Sequence, residues 1–404
     1  MSIYTDKPVE IFNVWGANPD DLEADTSGQD VFSMIPHFFY EFNGDPTVKV
    51  IYAGVSPGIN GQQFLTIPIK TLTEYLIKIT EPDTKLCFDN LFEGNVTPMI
   101  HAIYNAIKNT SIKPNQIYYF SAALDCTDAL NTYCQEHNIT EKINMYGCNT
   151  WEYILNKNSR GIQEVEYFVR PKEKSFLSFN RILRPHRLAL LSLLLEKDLV
   201  KNAYYSFFPR ASHEGKDPLN WNLHLLKEKL SPAVFKRVLI QFQRNEKTFP
   251  LKLNIDPSLN KNYIDDDDIN LFETSYFSLV TETYFFTSNH RISIDEETVF
   301  FSEKIYKPIR MKHPFILVSR PNSLTYLKKL GFKTFSPFIN EEYDSIEDNE
   351  ERMMAIIAEV ARLSSLSERQ WIGWQNNIKE IVEHNHTILI NRKKHEYVYE
   401  RPNT

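Results

Sequence analysis

The chain has 404 residues, 42% of them apolar and 24% charged, with 12 glycines and a net charge of −7. These are the proportions of a soluble globular protein, and the length suits two domains; a low-complexity, collagen-like or disulfide-scaffold chain is excluded. Acidic residues dominate 1–150, basic residues 151–260, and acidic residues again 261–404; a basic middle in an acidic protein points to a local anionic ligand rather than to a broad nucleic-acid surface.

The first residues carry Asp6, Lys7 and Glu10 with no apolar run behind them, so no secretory signal is expected. No stretch approaches about 20 uninterrupted apolar residues, so no transmembrane helix is predicted and a cytoplasmic location is expected. Cys87, Cys126, Cys134 and Cys148 form no C-x-x-C pair, which speaks against zinc and for buried thiols.

In chain order, the β-branched run Val48–Gly54 predicts a strand, followed by the turn-rich VSPGING. Lys85–Asp89 predicts a second strand, Thr97–Lys108 a helix, Gln116–Ala122 a strand, Asp125–Glu136 a helix, and Ile143–Gly147 and Val165–Val169 two more strands. Strands alternating with helices imply a parallel, doubly wound sheet. The polar run Arg170–Lys174 reads as an interdomain linker. A strand is predicted at Ser175–Phe179, a helix at His186–Lys197, a strand at Ala203–Phe208 and helix over 221–243. Tyr276–Phe286 is β-rich, Phe301–Lys312 a helix, Pro314–Ser319 a buried strand, Ser323–Leu330 a helix ended by Gly331, and Asn349–His384 two helices. The fold class is therefore α/β.

Two segments concentrate chemistry. FLSFNRILRPHR, Phe176–Arg187, runs a strand into a loop with Asn180, Arg181, Arg184, His186 and Arg187. Ligands of open α/β sheets sit at the carboxyl ends of strands, and guanidinium groups bind phosphate bidentately; the competing reading is a solvated basic loop. The second segment runs from Tyr276 to Ser319. Glu282 ends its strand, and a helix opening near Ser302 presents Glu303, Lys304, Tyr306 and Lys307. Ser302 suits an N-cap, which leaves the helix start able to favour an anion. Glu303 and Lys307, four apart, also fit a plain surface ion pair.

Ser302-Glu303-Lys304, the helix, and then His313-Pro314-Phe315-Ile316-Leu317 resemble the T-E-K … G-x-x-P-V-V donor motif of α1,3-fucosyltransferase-like and exostosin-like glycosyltransferases. The likeness is closer to bacteriophage and viral relatives, which read FLSFNR…R.HR, E…EK.YKPI…HPFI and L..LGFKTF; this chain has the last as Leu327–Phe335. The resemblance covers about residues 170–380. It implies a GT-B enzyme of two Rossmann-like lobes: 1–169 for the acceptor, 170–375 for a UDP- or GDP-sugar, and 376–404 a terminal helix and tail. Arg184 or Arg187 and Lys304 would hold diphosphate and Glu303 ribose, with Glu282 close by; Asn180, Arg181, Tyr306 and Lys307 complete the expected donor set. His313 stands where the fucosyltransferases have Gly.

Glu93, in FDNLFEGN, faintly resembles the FESP loop of the same enzymes and is the expected base for an inverting transfer; a turn acid is the bland alternative. Asp265–Asp268 reads as a solvated acidic loop rather than a metal-binding D-x-D, so neither a metal nor any other cofactor is expected to be required. His37, His101, His384 and His386 lack a ligand set and read as structural. Ser56–Gly61 lacks the Gly-Lys-Ser/Thr of a Walker loop. The expected acceptor is a glycan hydroxyl. Hydroxymethylated DNA is the alternative, kept open by the basic 151–260 segment, and a non-catalytic glycan- or nucleic-acid-binding module is a third reading.

Overall fold

The computed structural model describes residues 10–13, 48–52, 69–90, 94, 96–158, 165–209, 218–253, 266–287, 298–393 and 397–399. The chain divides into two compact units, Met1–Thr150 with His290–Phe300 and Lys393–Thr404, and Trp151–Asn289 with Phe301–Arg392.

In the first unit, β1 (Glu10–Asn13), β2 (Val48–Tyr52), β3 (Lys85–Asn90), β4 (Ile117–Ser121) and β5 (Asn144–Cys148) lie side by side in that order, all parallel. Helix α1 (Ile69–Ile79) follows β2, α2 (Thr97–Ile107) follows β3 and α3 (Cys126–Glu136) follows β4. Alternate strand residues point to one face, and here Leu86, Phe88, Ile117, Tyr119, Ile143 and Met145 share one cluster with residues of all three helices, such as Leu76, Ile103 and Leu130. The strand order advances without reversing, so right-handed crossovers put α1, α2 and α3 on the same face. A doubly wound sheet, which needs a reversal, is therefore not what the described strands of this unit form. The four cysteines are buried and in no disulfide.

The second unit opens with α4 (Thr150–Asn158), a helix missing from the sequence reading. Val165–Val169 is not a strand. Its residues alternate between half-buried and exposed, as a strand's would, but among the described residues no strand pairs with them. Instead the segment is tied down by Gln375: its carbonyl accepts the Tyr167 hydroxyl (3.3 Å), and its side chain accepts from the Arg170 N–H (3.4 Å) and donates to the Arg170 carbonyl (3.0 Å). Glu152 and Asn156 of α4 likewise bond to Arg392 and to the Leu389 carbonyl. These contacts place the border between units at 150/151 rather than 169/170.

Four parallel strands follow: β6 (Lys174–Ser178), β7 (Ala203–Tyr205), β8 (Ser275–Thr281) and β9 (Phe315–Val318), in the order β7-β6-β8-β9. This order reverses at β6, so the second unit is doubly wound. Every residue of β8 and β9 is buried, as expected of strands covered on both faces. Helix α5 (Pro185–Glu196) is apolar nearly all round and buried from His186 to Leu194, the mark of a central helix.

The predicted helix over 221–243 is two, α6 (Pro218–Lys229) and α7 (Pro232–Asn245), split where Ser231 caps α7 ahead of Pro232. Asp266–Asp268 are not loop but the first turn of α8 (Asp266–Glu273); Asp265 lies outside the described residues. The β-rich run ends at Thr281, and 282–287 is irregular. Next come α9 (Glu303–Arg310), α10 (Ser323–Lys329), α11 (Asn349–Ser364) and α12 (Glu368–Asn391). Helix α12 is a single 24-residue helix, so it runs unbroken through the expected border at 375/376. Trp371 on it stacks on Tyr276 of β8 (4.0 Å).

Two short pieces return to the first unit. Phe300 bridges Ala123, with the Val299 N–H on Asp125 Oδ1 (2.7 Å), and β10 (Val398–Tyr399) pairs antiparallel with β5. No described helix is long and apolar enough to cross a membrane.

Candidate functional site

Open α/β sheets bind ligands outside the carboxyl ends of their strands where the strand order reverses. In the second unit that point lies between β6 and β8. Three segments distant in sequence, 178–187, 281–282 and 302–304, meet there in one hydrogen-bonded network.

The strand ends are joined by buried polar side chains. Ser178 Oγ donates to the Leu279 carbonyl (2.8 Å), Asn180 Nδ2 to Ser178 Oγ (3.0 Å) and Thr281 Oγ1 to Asn180 Oδ1 (2.6 Å). Asn180 is thus a buried brace between the strands. Ser178 and Thr281 were absent from the candidate set, although a polar residue inside an otherwise apolar strand was the available signal.

The arginines then take different roles. Arg187 is buried in α5. Its Nη1 donates to the Ile182 carbonyl (2.8 Å) and its Nη2 to those of Thr281 and Glu282 (3.2 and 3.4 Å). Burial first, then the charge of Arg184, pushes its pKa down to about 10. Arg187 therefore holds backbone rather than reaching outward. Arg181 and Arg184 are half-buried, and among the described residues neither guanidinium group carries a hydrogen bond or ion pair. Arg184 ends the loop in extended conformation, and Pro185 then begins α5. Neighbouring His186 is buried, stacked on Phe285, with Nε2 3.0 Å from the Glu282 carbonyl. Burial, then Arg187 and Arg184, holds it well below its ordinary value, so the ring is neutral and donates to that carbonyl.

Helix α9 opens at this point. Ser302 caps it, with Oγ accepting from the Lys304 N–H (3.3 Å) and from Lys304 Nζ (2.8 Å). Glu282 is fully buried and takes the Ser302 N–H on Oε1 (3.2 Å) and the Ser302 hydroxyl on Oε2 (2.6 Å). Lys304 Nζ also pairs with Glu303 at 3.4 Å. The two carboxyl groups are driven apart. Burial raises the Glu282 pKa against the opposing pull of Lys304 and Ser302. Burial acts the same way on Glu303, but Lys304 and Lys307 outweigh it and its pKa is lowered. At neutral pH the site presents an ionised Glu303, partly exposed Lys304, the unengaged guanidinium of Arg184 and a helix N-terminus, a set suited to a polyphosphate and a hydroxyl-bearing ligand.

Two expected ligand residues are buried: Tyr306 is packed against Phe332, and Lys307 lies inside the unit, where its charge helps hold the Glu303 pKa down. His313, the departure from the fucosyltransferase pattern, sits before β9. Its Nδ1 contacts Ser278 Oγ and its Nε2 the Ser275 carbonyl, both at 2.8 Å. That is the amino end of the sheet, opposite the network above, so the exchange of Gly for His does not fall on this site.

Glu93, His37 and Ser56–Gly61 lie outside the described residues. His101 is engaged by Tyr133 and Asn105, His384 by the Gly331 carbonyl and His386 by that of Arg310. Among the described residues no group of three or more His, Cys, Asp or Glu could hold a metal ion.

No protein-family model matches the chain, and no curated protein matches it. A solved structure described as the crystal structure of a GtfA/B complex is similar at 10% identity and a TM-score of 0.38, over 86% of this chain and 55% of that one. The chain thus spans just over half the length of the chain it matches.

Proposed function

We propose that the second unit binds the nucleoside diphosphate of a UDP- or GDP-sugar and that the protein is a glycosyltransferase of GT-B type, passing the sugar to an acceptor hydroxyl. The observation that carries this reading is the strand-order reversal between β6 and β8, where the loop after β6 carries Arg181 and Arg184 and where Glu282, at the end of β8, holds the Ser302 cap of α9. Arg181, Arg184 and Lys304 would take the diphosphate, and Glu303 the ribose hydroxyls. The negative charge that develops on the departing diphosphate as its bond to the anomeric carbon breaks is taken up by fixed cations and helix N–H groups, and no metal is required. The transfer is inverting, with Glu93 as the base that takes the acceptor proton, and the acceptor is a glycan.

The test is a melting-temperature panel of nucleotide sugars followed by turnover in excess EDTA. A donor at 100 times its Kd adds about 2.7 kcal/mol of stability. Lys304→Ala should lose about 1.5–3 kcal/mol of that binding, and Glu93→Gln should bind donor normally but turn over about 10²–10⁴-fold more slowly. A protein that no nucleotide sugar stabilises is not this enzyme. Binding without turnover on any glycan or hydroxymethylated DNA makes it a binding module, and activity lost to EDTA and restored by Mn²⁺ overturns the metal-free mechanism.

A further inference from the structure

Glu282 was expected to meet the donor, yet both of its oxygens are engaged within the protein. One receives the Ser302 N–H and the other the Ser302 hydroxyl. Its main chain is pinned as well, its N–H on the Val318 carbonyl (3.0 Å) and its carbonyl under His186 and Arg187. The consequence falls on Ser302. A hydroxyl has one proton and two lone pairs. With the proton directed to Glu282, both lone pairs turn to Lys304, one to its N–H and one to its ammonium at 2.8 Å.

We infer that Glu282 is a positioning residue: acting through the Ser302 hydroxyl, it sets where the Lys304 ammonium stands at the opening of α9. This rests on the reading of Lys304 as a diphosphate ligand only for its consequence in catalysis; the placement of the ammonium is a property of the protein alone. Glutamine at 282 would reverse the chain. An amide nitrogen must donate to Ser302 Oγ, which drives the serine proton toward an ammonium that can only donate. Lys304 then leaves its place although its charge is untouched.

Two readouts separate the inference from the function it serves. The first is the rate at which Lys304 is reductively methylated in the ligand-free protein, followed by peptide mass spectrometry. Glu282→Gln and Ser302→Ala should each speed it several-fold, and Ser302→Thr, which keeps a hydroxyl, should restore the slow rate. Ser302→Ala stands in if Glu282→Gln does not fold. The second is calorimetry with UDP and GDP. Glu282→Gln should weaken binding about tenfold, the worth of one charge-assisted contact, and the double variant with Lys304→Ala should be no weaker than Lys304→Ala alone. Unchanged methylation in both variants overturns the inference, and so does an additive double variant. Faster methylation in the variants, together with a wild-type protein that binds neither nucleotide, keeps the inference and removes the donor reading.

Discussion

Arg187 donates from inside its unit to the carbonyls of Ile182, Thr281 and Glu282; that of Glu282 also receives His186, so removing Arg187 would strand chiefly those of Ile182 and Thr281. Arg187→Met should therefore cost several kcal/mol in urea unfolding, each stranded group costing about 1–3. Arg184 has no such partners, and Arg184→Gln should change stability by about 0.5 kcal/mol or less while weakening nucleoside-diphosphate binding. Equal losses of stability in the two variants would contradict this division of roles. A second residue makes a pH prediction. Lys172 is half-buried beside Arg170, Lys312 and His313, and among the described residues its ammonium bonds only the Phe272 carbonyl, at 3.4 Å. Burial, then Arg170, pushes it down to about 8 from an ordinary 10.5, against the pull of Glu273. Between those two values the unfolded chain holds a proton that the folded one lacks, so stability rises with pH across that window, and the cost of the charge is fully present below it. Lys172→Met should accordingly raise the melting temperature at pH 7 by a few degrees, and the gain should vanish near pH 11. A gain that is equal at both pH values would show that the charge is not its source.

Helix ends show how far local signals carry. Gly331 follows α10 with φ at +90°; its N–H meets the Lys328 carbonyl and the Phe332 N–H that of Leu327, which together make a Schellman motif. A Cβ there would meet nothing nearer than Ile388 Cγ2 at 3.9 Å, so space is not the obstacle and the backbone angle is. Gly331→Ala should cost about 1–2 kcal/mol, read as a lower urea midpoint with an unchanged slope; an unchanged midpoint would show that the helix end relaxes without strain. Ser302 before α9 was legible for the same reason, since a cap and its helix are neighbours in the chain. Val165–Val169 was misread because alternation shows only that one side faces the protein. Whether that side meets a strand or, as here, Gln375 of α12 depends on residues far along the chain.

For the whole molecule, the proposal confines the nucleotide to one of two compact units. UDP or GDP should slow amide hydrogen exchange at the ends of β6 and β8 and in the first turn of α9, and leave α1, α2 and α3 unchanged, because a ligand protects the segments whose opening it opposes. Protection in α1–α3 without any in α9 would move the nucleotide to the first unit.

Most strands and helices were legible from periodicity, as was the clustering of basic and acidic candidates in Phe176–Arg187 and Ser302–Lys304, because spacing along the chain sets which residues share a face or a turn. Other features depend on contacts between residues far apart in sequence. The first unit advances its strands in one direction while the second reverses at β6, a difference in neighbours that no strand's own sequence encodes. The border at 150/151 arises because α4 bonds to the end of α12, and Phe300 returns to pair beside Ala123. Arg184 and Arg187 have the same side chain three positions apart, yet one is unengaged and the other holds three carbonyls, because helix α5 turns only the second toward the end of β8.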